Sequence, residues 1–197
     1  MKAILLGAGY GTRLYPLTKD TPKTLLSIAG KPMVEWILER LSKVEGLESV
    51  ALVTNDRFAP HHERWKSGYQ GKLPVTIVND GTRTDATKLG AVGDLRFTRD
   101  RLKLDDDLLV VAGDNLFEFD PAEFARFFRS QAAPCVALRD MKGSPLISRY
   151  SVVTLDQASR VTAFEEKPAR PKTDLIAICL YLFPKETLGL LDAYIAQ

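Results

Sequence analysis

The chain has 197 residues, enough for one ordinary domain that buries a hydrophobic core of its own. Hydrophobic residues make up 45% of the chain and charged residues 26%, which is typical of a soluble globular protein and argues against a disordered or membrane-embedded chain. The formal net charge of +2 is far from the clustered basic charge with which proteins bind phosphate backbones, so nucleic acid is not an expected partner.

Short apolar runs rich in branched residues alternate along the chain with longer stretches of helical periodicity. The runs predicted as strands are residues 3–6, 49–54, 75–78, 108–112, 136–138, 150–155 and 176–183. One predicted helix begins near Pro32, and the others span residues 85–97, 121–128 and 185–195. This alternation predicts an α/β fold, a Rossmann-like and mainly parallel mixed sheet with flanking helices.

The second half of the chain differs in character from the first. From residue 136 onward the predicted strands follow each other more closely, so part of this half is expected to be antiparallel or to form a small appended sheet. No repeat, low-complexity tract or Gly/Ser linker divides the chain. We therefore predict a single domain over residues 1–197, with a strand-rich second half.

Three glycines in five positions, Gly7, Gly9 and Gly11, follow the first predicted strand. Such a segment lies at the carboxyl edge of the sheet, where open α/β folds bind ligands. Glycines there let the backbone approach a ligand and direct N–H groups at anionic oxygens. The pattern predicts a phosphate-binding loop, with a merely tight turn as the alternative.

Two known phosphate-binding loops do not fit the sequence. A Walker loop requires G-x-x-x-x-G-K-[ST], but Lys31 is followed by Pro32 and Leu25 stands where the first glycine belongs. The dinucleotide fingerprint requires a third glycine where Thr12 stands. A P-loop enzyme and a dehydrogenase are therefore disfavoured.

Two cations, Arg13 and Lys23, bracket a stretch that follows the glycines. Pro16 and Pro22 prevent this stretch from forming a continuous helix, so a long loop is predicted. Two cations beside a backbone anion site can neutralise a triphosphate and stabilise the charge that builds up in phosphoryl transfer. Two solvated surface cations are the alternative.

A carboxylate, Asp114, follows the predicted strand 108–112 in the run Gly113-Asp114-Asn115. It is expected at the same sheet edge as the glycine loop. Mg²⁺ prefers oxygen ligands and bridges phosphates with only one or two protein carboxylates. We predict Asp114 as the metal ligand and Mg²⁺ as the cofactor, with a turn-forming Asp-Asn as the alternative.

Two other groups of ionisable residues are not predicted as sites. The acidic run 105–107 precedes its strand and is expected as a solvated turn at the opposite sheet edge. His61 and His62 lie in a polar helical stretch with no third ligand nearby in sequence. We therefore predict that both histidines are exposed on the protein surface.

The glycine loop and its cations together resemble a known signature. The run Gly9-x-Gly11-Thr12-Arg13-Leu14-x-Pro16-x-Thr18-x-x-x-Pro22-Lys23 is similar to that of the sugar-1-phosphate nucleotidyltransferases, whose G-D-[NTQ] element resembles Gly113-Asp114-Asn115. The resemblance implies that Arg13 and Lys23 are catalytic and that Asp114 binds the metal. The residues expected to bind the nucleotide are Leu6, Ala8, Gly9, Gly11, Thr12, Asn79 and Asp114.

Two segments of the second half resemble the sugar-phosphate elements of the same family. They are Arg149-Tyr150-Ser151-Val152-Val153, similar to R-[YF]-G-[VI]-[VI], and Glu165-Glu166-Lys167-Pro168, similar to E-E-K-P. The resemblance implies that Tyr150 and Ser151 lie against the sugar. It also implies that Glu166 accepts hydrogen bonds from sugar hydroxyls and that Lys167 binds the sugar phosphate.

Several positions depart from the family's pattern. Ser151 and Cys179 stand where glycines are common, and their added bulk predicts an acceptor other than the commonest hexose phosphate. The amide of Asn79 can read a base edge, but Thr84 stands near the place of a family glycine. A second metal-binding aspartate, from a W-x-D-x-G-like element, does not occur up to Gln197. Either a C-terminal segment is missing or the metal site is built differently.

The resemblance implies transfer of a nucleoside monophosphate from a nucleoside triphosphate to a sugar 1-phosphate, giving an NDP-sugar and pyrophosphate. For the nucleotide, dTTP or UTP is weakly favoured over CTP. Transfer to phosphocholine or an inositol phosphate remains an alternative, as does a catalytically silent domain that binds nucleotide or sugar phosphate. The cysteines form no C-x-x-C pair, and no apolar run has signal-peptide or transmembrane length. We therefore expect a cytoplasmic enzyme without a membrane partner, and a homo-oligomer is among the expected assemblies.

Overall fold

The structure is a computed structural model that describes residues 1–196. Its strands are β1 (Lys2–Leu6), β2 (Ser27–Ile28), β3 (Lys31–Pro32), β4 (Ser49–Thr54), β5 (Val75–Asn79), β6 (Leu108–Ala112), β7 (Cys135–Asp140), β8 (Ser151–Leu155), β9 (Val161–Glu166) and β10 (Leu175–Phe183). Its α-helices are α1 (Met33–Leu41), α2 (Ala59–Gly68), α3 (Gly90–Leu102), α4 (Pro121–Gln131) and α5 (Leu190–Ile195). The chain divides into two compact units, one of residues 1–135 with the chain from residue 181 onward, the other of residues 136–180.

The first unit contains a parallel sheet in the order β5-β4-β1-β6. The strands β1, β4 and β6 are almost wholly apolar and buried, as parallel strands covered on both faces must be, whereas the edge strand β5 has two exposed residues. One core cluster joins these strands to Leu95 of α3. The helix α1 buries a stripe at three- and four-residue spacing, formed by Met33, Val34, Ile37, Leu38 and Leu41. Because all four strands are parallel, their carboxyl ends lie at one edge of the sheet.

The second unit is antiparallel. Strand β8 pairs with β9 and with β10, and β7 also pairs with β10. A small core of Ile147, Val152 and Ile176 lies in this unit, with Met141 and Ile178 packed against it. In the β8–β9 register, Ser151 lies opposite Glu166. The pairing therefore brings together two of the residues that the sequence assigned to the sugar side.

The predicted α/β class is confirmed, as is the change to antiparallel strands after residue 136. Strand β9 was not among the runs predicted as strands, and α2 was predicted only as a polar helical stretch around His61 and His62, without bounds. Helix α3 begins at Gly90 rather than at residue 85, because Thr84 and Thr87 form a capping box around a short 3₁₀ turn. Whether residues 1–197 act as a single domain stays a prediction. No helix within residues 1–196 is both long and apolar enough to cross a bilayer.

Candidate active site

The glycine loop crosses the carboxyl edge of the first unit's sheet. Strand β1 ends at Leu6, and the next backbone N–H, that of Gly7, donates to Val53 O at 2.9 Å. Gly11 has a φ of +64°, a left-handed conformation that glycine adopts without steric cost. The buried hydroxyl of Thr18 donates to Gly11 O at 2.7 Å. The loop is thus held at both ends, and Arg13 is exposed in the 3₁₀ turn that follows it.

Lys23 begins a second 3₁₀ turn, directly after Pro22. Its Nζ forms a short ion pair with Asp114 Oδ2. The side chains are 34% exposed for Lys23 and 46% for Asp114, so both can be reached from solvent. The two charges predicted for the phosphate site are therefore paired with each other.

Strand β6 delivers Asp114 to this edge. Gly113 N donates to Leu6 O at 2.8 Å, which joins the end of β6 to the end of β1. A Cβ at Gly113 would lie 2.6 Å from Thr24 Cγ2 and 2.7 Å from Leu6 O, distances that no side chain tolerates. Glycine at this position therefore allows the Asp114 segment to approach the Lys23 turn.

A cavity of about 400 Å³ lies among these segments. Its lining residues are Leu6, Gly7, Gly9, Gly11, Arg13, Leu14, Lys23, Thr24, Gly113 and Asp114. The structure thus brings together most of the residues predicted for nucleotide binding and catalysis. A Cβ at Gly9 would meet nothing within 4 Å, so the protein's own packing does not require glycine there. The space beside Gly9 is instead open to a ligand.

Three predicted nucleotide-binding residues do not line this cavity. Ala8 is buried, and its carbonyl accepts from Asn55 Nδ2 at 2.8 Å. Thr12 is exposed in the 3₁₀ turn. Asn79 uses both ends of its amide within the protein, since Nδ2 donates to Asp56 Oδ1 at 2.9 Å and Oδ1 accepts from Gly81 N at 2.9 Å. The role of Asn79 in reading a base stays a prediction.

A larger cleft of about 590 Å³ lies along α3 and α5. It is lined mainly by apolar residues between Leu89 and Phe97 and by Tyr194 and Ile195. No residue predicted for the site lines it. We favour the smaller cavity as the active site, because two cations, a carboxylate and the backbone of the glycine loop converge there.

The residues at the cavity fit a magnesium ion. Asp114 offers a partly exposed carboxylate, the hard oxygen ligand that Mg²⁺ prefers. Across residues 1–196, no three His, Cys, Asp or Glu side chains come together as a metal-binding group. An ion at Asp114 would take its remaining ligands from phosphate oxygens and water, as Mg²⁺ commonly does.

The residues predicted for the sugar side form a cluster in the second unit. Ser151 Oγ donates a short hydrogen bond to Glu166 Oε2, and Lys167 Nζ lies 2.7 Å from Glu166 Oε1. The hydrogen bond from Lys167, and then that from Ser151, lower the pKa of Glu166 below its usual value. Lys167 has a φ of +45°, and its N–H donates to Tyr150 O at 3.2 Å. Glu166 is therefore ionised, and each of its oxygens has a partner.

The prediction of an exposed histidine pair is wrong, because His62 is fully buried and His61 is only partly exposed. Its Nε2 lies 2.7 Å from Thr24 Oγ1, and its Nδ1 lies 3.0 Å from Phe58 O. Burial lowers the pKa of His62 to about 4. Helix α2 has no apolar periodicity, so its residue pattern does not indicate that this face is covered. The acidic run 105–107 lies at the amino end of β6, where Lys2 N donates to Asp107 O, as predicted.

A buried acidic pair was also not predicted. Asp94 of α3 is 7% exposed and Asp80 is 8% exposed. Burial, and then the neighbouring Asp80, raise the pKa of Asp94 to about 7. Asp80 Oδ1 accepts from both the N–H and the hydroxyl of Thr82, at 2.7 and 2.8 Å. Thr82 Oγ1 lies 3.5 Å from the hydroxyl of Tyr10 in the glycine loop. The pair therefore lies behind the loop rather than in the cavity.

Comparison with known proteins agrees with this geometry. The chain is 31% identical over 187 residues to the D-glycero-α-D-manno-heptose 1-phosphate guanylyltransferase of Campylobacter jejuni, covering 94% of this chain and 77% of that protein. It is 30% identical over 183 residues to a glucose-1-phosphate thymidylyltransferase of Streptomyces antibioticus, covering 93% of this chain and 49% of the relative. The chain spans about half the length of several of the curated relatives that it matches.

The fold has close likenesses among solved structures. The UDP-glucose pyrophosphorylase of Acinetobacter baumanii superimposes with a TM-score of 0.79 at 20% identity, over 97% of this chain and 76% of that one. At this identity the likeness shows a shared fold. The family model described as nucleotidyl transferase matches residues 2–196. Because that match covers almost the whole sequence, the chain belongs to the nucleotidyl transferase family.

Proposed function

We propose that the protein transfers a nucleoside monophosphate from a nucleoside triphosphate to a sugar 1-phosphate, giving an NDP-sugar and pyrophosphate. The observation that carries the proposal is the 400 Å³ cavity in which Arg13, Lys23 and Asp114 converge on the glycine loop. The relatives from Campylobacter jejuni and Streptomyces antibioticus both have sugar 1-phosphates in their names. Those names do not favour phosphocholine or an inositol phosphate as the acceptor.

The chemistry fits residues that position anions rather than attack the substrate. An oxygen of the sugar phosphate attacks the α-phosphorus in line, and the bond from that phosphorus to pyrophosphate breaks. A phosphate dianion is already a competent nucleophile, so no covalent intermediate with the protein is required. The protein's task is to hold two repelling anions in line and to stabilise the charge that develops.

Each group at the cavity has a part in this task. The backbone at Gly9 and Gly11 binds phosphate oxygens, and Arg13 and Lys23 neutralise them. Asp114 would hold Mg²⁺, which would withdraw negative charge from the reacting phosphates. The ion pair of Lys23 with Asp114 holds both side chains at the cavity, where phosphates would bind.

The acceptor is proposed to bind at the Ser151–Glu166–Lys167 cluster of the second unit. Lys167 would pair with the acceptor's phosphate, and the ionised Glu166 would accept hydrogen bonds from sugar hydroxyls. The Ser151 hydroxyl already occupies one oxygen of Glu166, which supports an acceptor other than the commonest hexose phosphate. For the nucleotide, dTTP or UTP remains the prediction, and the cytoplasm remains the proposed location.

The test is pyrophosphate release in the presence of Mg²⁺. Each of dTTP, UTP, CTP, GTP and ATP is combined with a set of sugar 1-phosphates, with phosphocholine and an inositol phosphate included. We expect release with one nucleotide–sugar pair and its loss in Lys23→Ala, whereas Lys43→Ala, at an exposed lysine outside the cavity, retains it. Nucleotide binding without release from any pair would instead indicate a silent binding domain.

A further inference from the structure

A buried polar contact lies beneath Lys23 and is not part of the cavity chemistry. Thr24, the next residue, is 3% exposed, and its Oγ1 lies 2.7 Å from Nε2 of the fully buried His62. His62 Nδ1 lies 3.0 Å from Phe58 O, which can only accept, so Nδ1 carries the proton. In the neutral ring Nε2 is then an acceptor, and the Thr24 hydroxyl donates to it.

The methyl group of Thr24 is fixed as tightly as its hydroxyl. A Cβ added at Gly113 would lie 2.6 Å from Thr24 Cγ2, and one added at Gly7 would lie 3.3 Å from it. The methyl therefore fills a gap between the ends of β1 and β6 that exists only because both positions are glycine. Asp114 follows immediately after this gap. The two ends of the Thr24 side chain thus anchor the backbone of Lys23 beside its ion-pair partner.

The same part of the chain also holds the glycine loop. Asn55 Nδ2 donates to Ala8 O at 2.8 Å, and Asn55 Oδ1 accepts from Phe58 N at 3.0 Å. The Phe58 ring lies 6.4 Å from that of Tyr10. Residues 55–62 therefore contact the glycine loop through Asn55 and Phe58, and the residue after Lys23 through His62.

We propose that His62 is a positioning residue that, acting through Thr24, fixes Lys23 in the geometry required for phosphate transfer. The catalytic part of this inference rests on the proposed function, whereas the part that concerns the location of Lys23 does not. A displacement of about 1 Å at a charged group that screens the transferred phosphate is sufficient to lower turnover by about 10²-fold. A hydrogen bond with no such role would affect folding stability and leave turnover in the folded protein unchanged.

The test compares Thr24→Val and His62→Leu with two conservative variants and a matched control. Thr24→Val retains the methyl group and removes the hydroxyl, and Thr24→Ser and His62→Gln retain hydrogen-bonding groups. The control is Thr98→Val on α3, because Thr98 is fully buried and its hydroxyl has no hydrogen-bond partner in the described chain. Thermal denaturation establishes that each variant is folded. If His62→Leu does not fold, Thr24→Val carries the test.

We expect kcat to fall about 10- to 100-fold in Thr24→Val and His62→Leu, while KM for the nucleotide changes less than about threefold. Thr24→Ser and His62→Gln should stay within about fivefold of the unchanged protein, and Thr98→Val within about twofold. The variant that combines Thr24→Val with His62→Leu should lose no more kcat than the worse of the two single variants, because both changes break the same contact. Additive losses, or unchanged kcat in folded Thr24→Val, would overturn the proposal.

A second measurement needs no turnover. Limited acetylation with acetic anhydride, followed by mass spectrometry, reports how fast Lys23 reacts relative to the exposed Lys43 in the same molecule. We expect Lys23 to react at least about threefold faster in Thr24→Val, because its amine leaves Asp114. An unchanged Lys23 rate would refute the positioning role even if the enzyme is inactive. A raised rate with no nucleotidyl transfer by the unchanged protein would uphold the positioning and reject only the proposed function.

Discussion

The carboxyl edge of the first unit's sheet, where Arg13, Lys23 and Asp114 lie, is here called the phosphate edge. Its charged side chains are held in place by contacts that differ from those of the Ser151–Glu166–Lys167 cluster in the second unit. At the phosphate edge, the charged side chains lie above a buried layer that includes Thr18, Thr24 and His62, none more than 3% exposed. In the acceptor cluster, Glu166 and Lys167 are 62% and 61% exposed and are held mainly by each other and by Ser151. Substitutions in this buried layer should therefore affect folding and turnover together, and those in the Ser151–Glu166–Lys167 cluster mainly the choice of acceptor.

The largest expected effect concerns Asp114. We expect Asp114→Asn to lower kcat/KM by about 10³-fold, because the change removes the proposed metal ligand and the ion-pair partner of Lys23. Folding stability should change little, since exposed ion pairs contribute only about 0–1 kcal/mol. Acetylation of Lys23 should accelerate at the same time. If turnover by Asp114→Asn stays within threefold of that of the unchanged protein, Asp114 is not part of the active site.

The next prediction concerns how folding stability depends on pH through two buried groups, His62 and Asp94. His62 has a pKa of about 4, below the ordinary 6.5, so its contribution to stability is complete above pH 6.5 and is lost as the pH falls towards 4. Asp94 has a pKa of about 7, above the ordinary 3.8, so its contribution is complete below pH 3.8 and is lost as the pH rises towards 7. Between pH 4.5 and 6.5, each group changes the free energy of unfolding by about 3 kcal/mol, and the two changes have opposite signs.

Single variants should expose these opposing slopes. In urea denaturation, Asp94→Asn should become more stable by about 3 kcal/mol as the pH rises from 4.5 to 6.5, because only the His62 contribution remains. His62→Gln should become less stable over the same interval. The pKa of Glu166 is lowered, so its contribution is lost only as the pH falls below about 4.5, outside this window. Parallel pH profiles for the two variants would contradict these assignments.

The smallest expected effect concerns Ser151. We expect Ser151→Gly to change the ratio of kcat/KM between two sugar 1-phosphates by about 3- to 10-fold, because it frees one oxygen of Glu166 and removes a side chain. Ser151→Ala serves as the matched control, since it removes the hydroxyl and retains Cβ. The melting temperature should change little in either variant. An unchanged ranking of acceptors in both variants would end the case for Ser151 as a specificity residue.

Much of the phosphate edge could be predicted because its signals are local. Strands buried on both faces, such as Leu108–Ala112, are continuous apolar runs, and the residues after them must lie at the carboxyl edge. The glycine loop and Asp114 follow such strands directly. Their convergence on one cavity required only the parallel order of the sheet.

The supporting layer could not be predicted because its contacts are distant in sequence. His62 lies in a polar helix without apolar periodicity, and it is buried by contact with Thr24, which is 38 positions away. Asp94 lies within a helix, and its raised pKa depends on its burial and then on Asp80, which follows strand β5. Strand β9 alternates intermediate and exposed residues and has no buried face of its own, so its apolar pattern was too weak to mark it as a separate strand.

The contacts around Gly113 limit how the site can change over evolution. A Cβ there would lie 2.7 Å from the carbonyl oxygen of Leu6, and no exchange of a neighbouring side chain can relieve a clash with backbone. One added at Gly7 would lie 3.1 Å from Val53 O. At Gly113 the cavity is therefore closed to a new side chain unless the strands themselves separate, and at Gly7 there is little room for one. Diversification of substrate must begin at the rim, at positions such as Leu14, whose side chain lines the cavity and is 37% exposed.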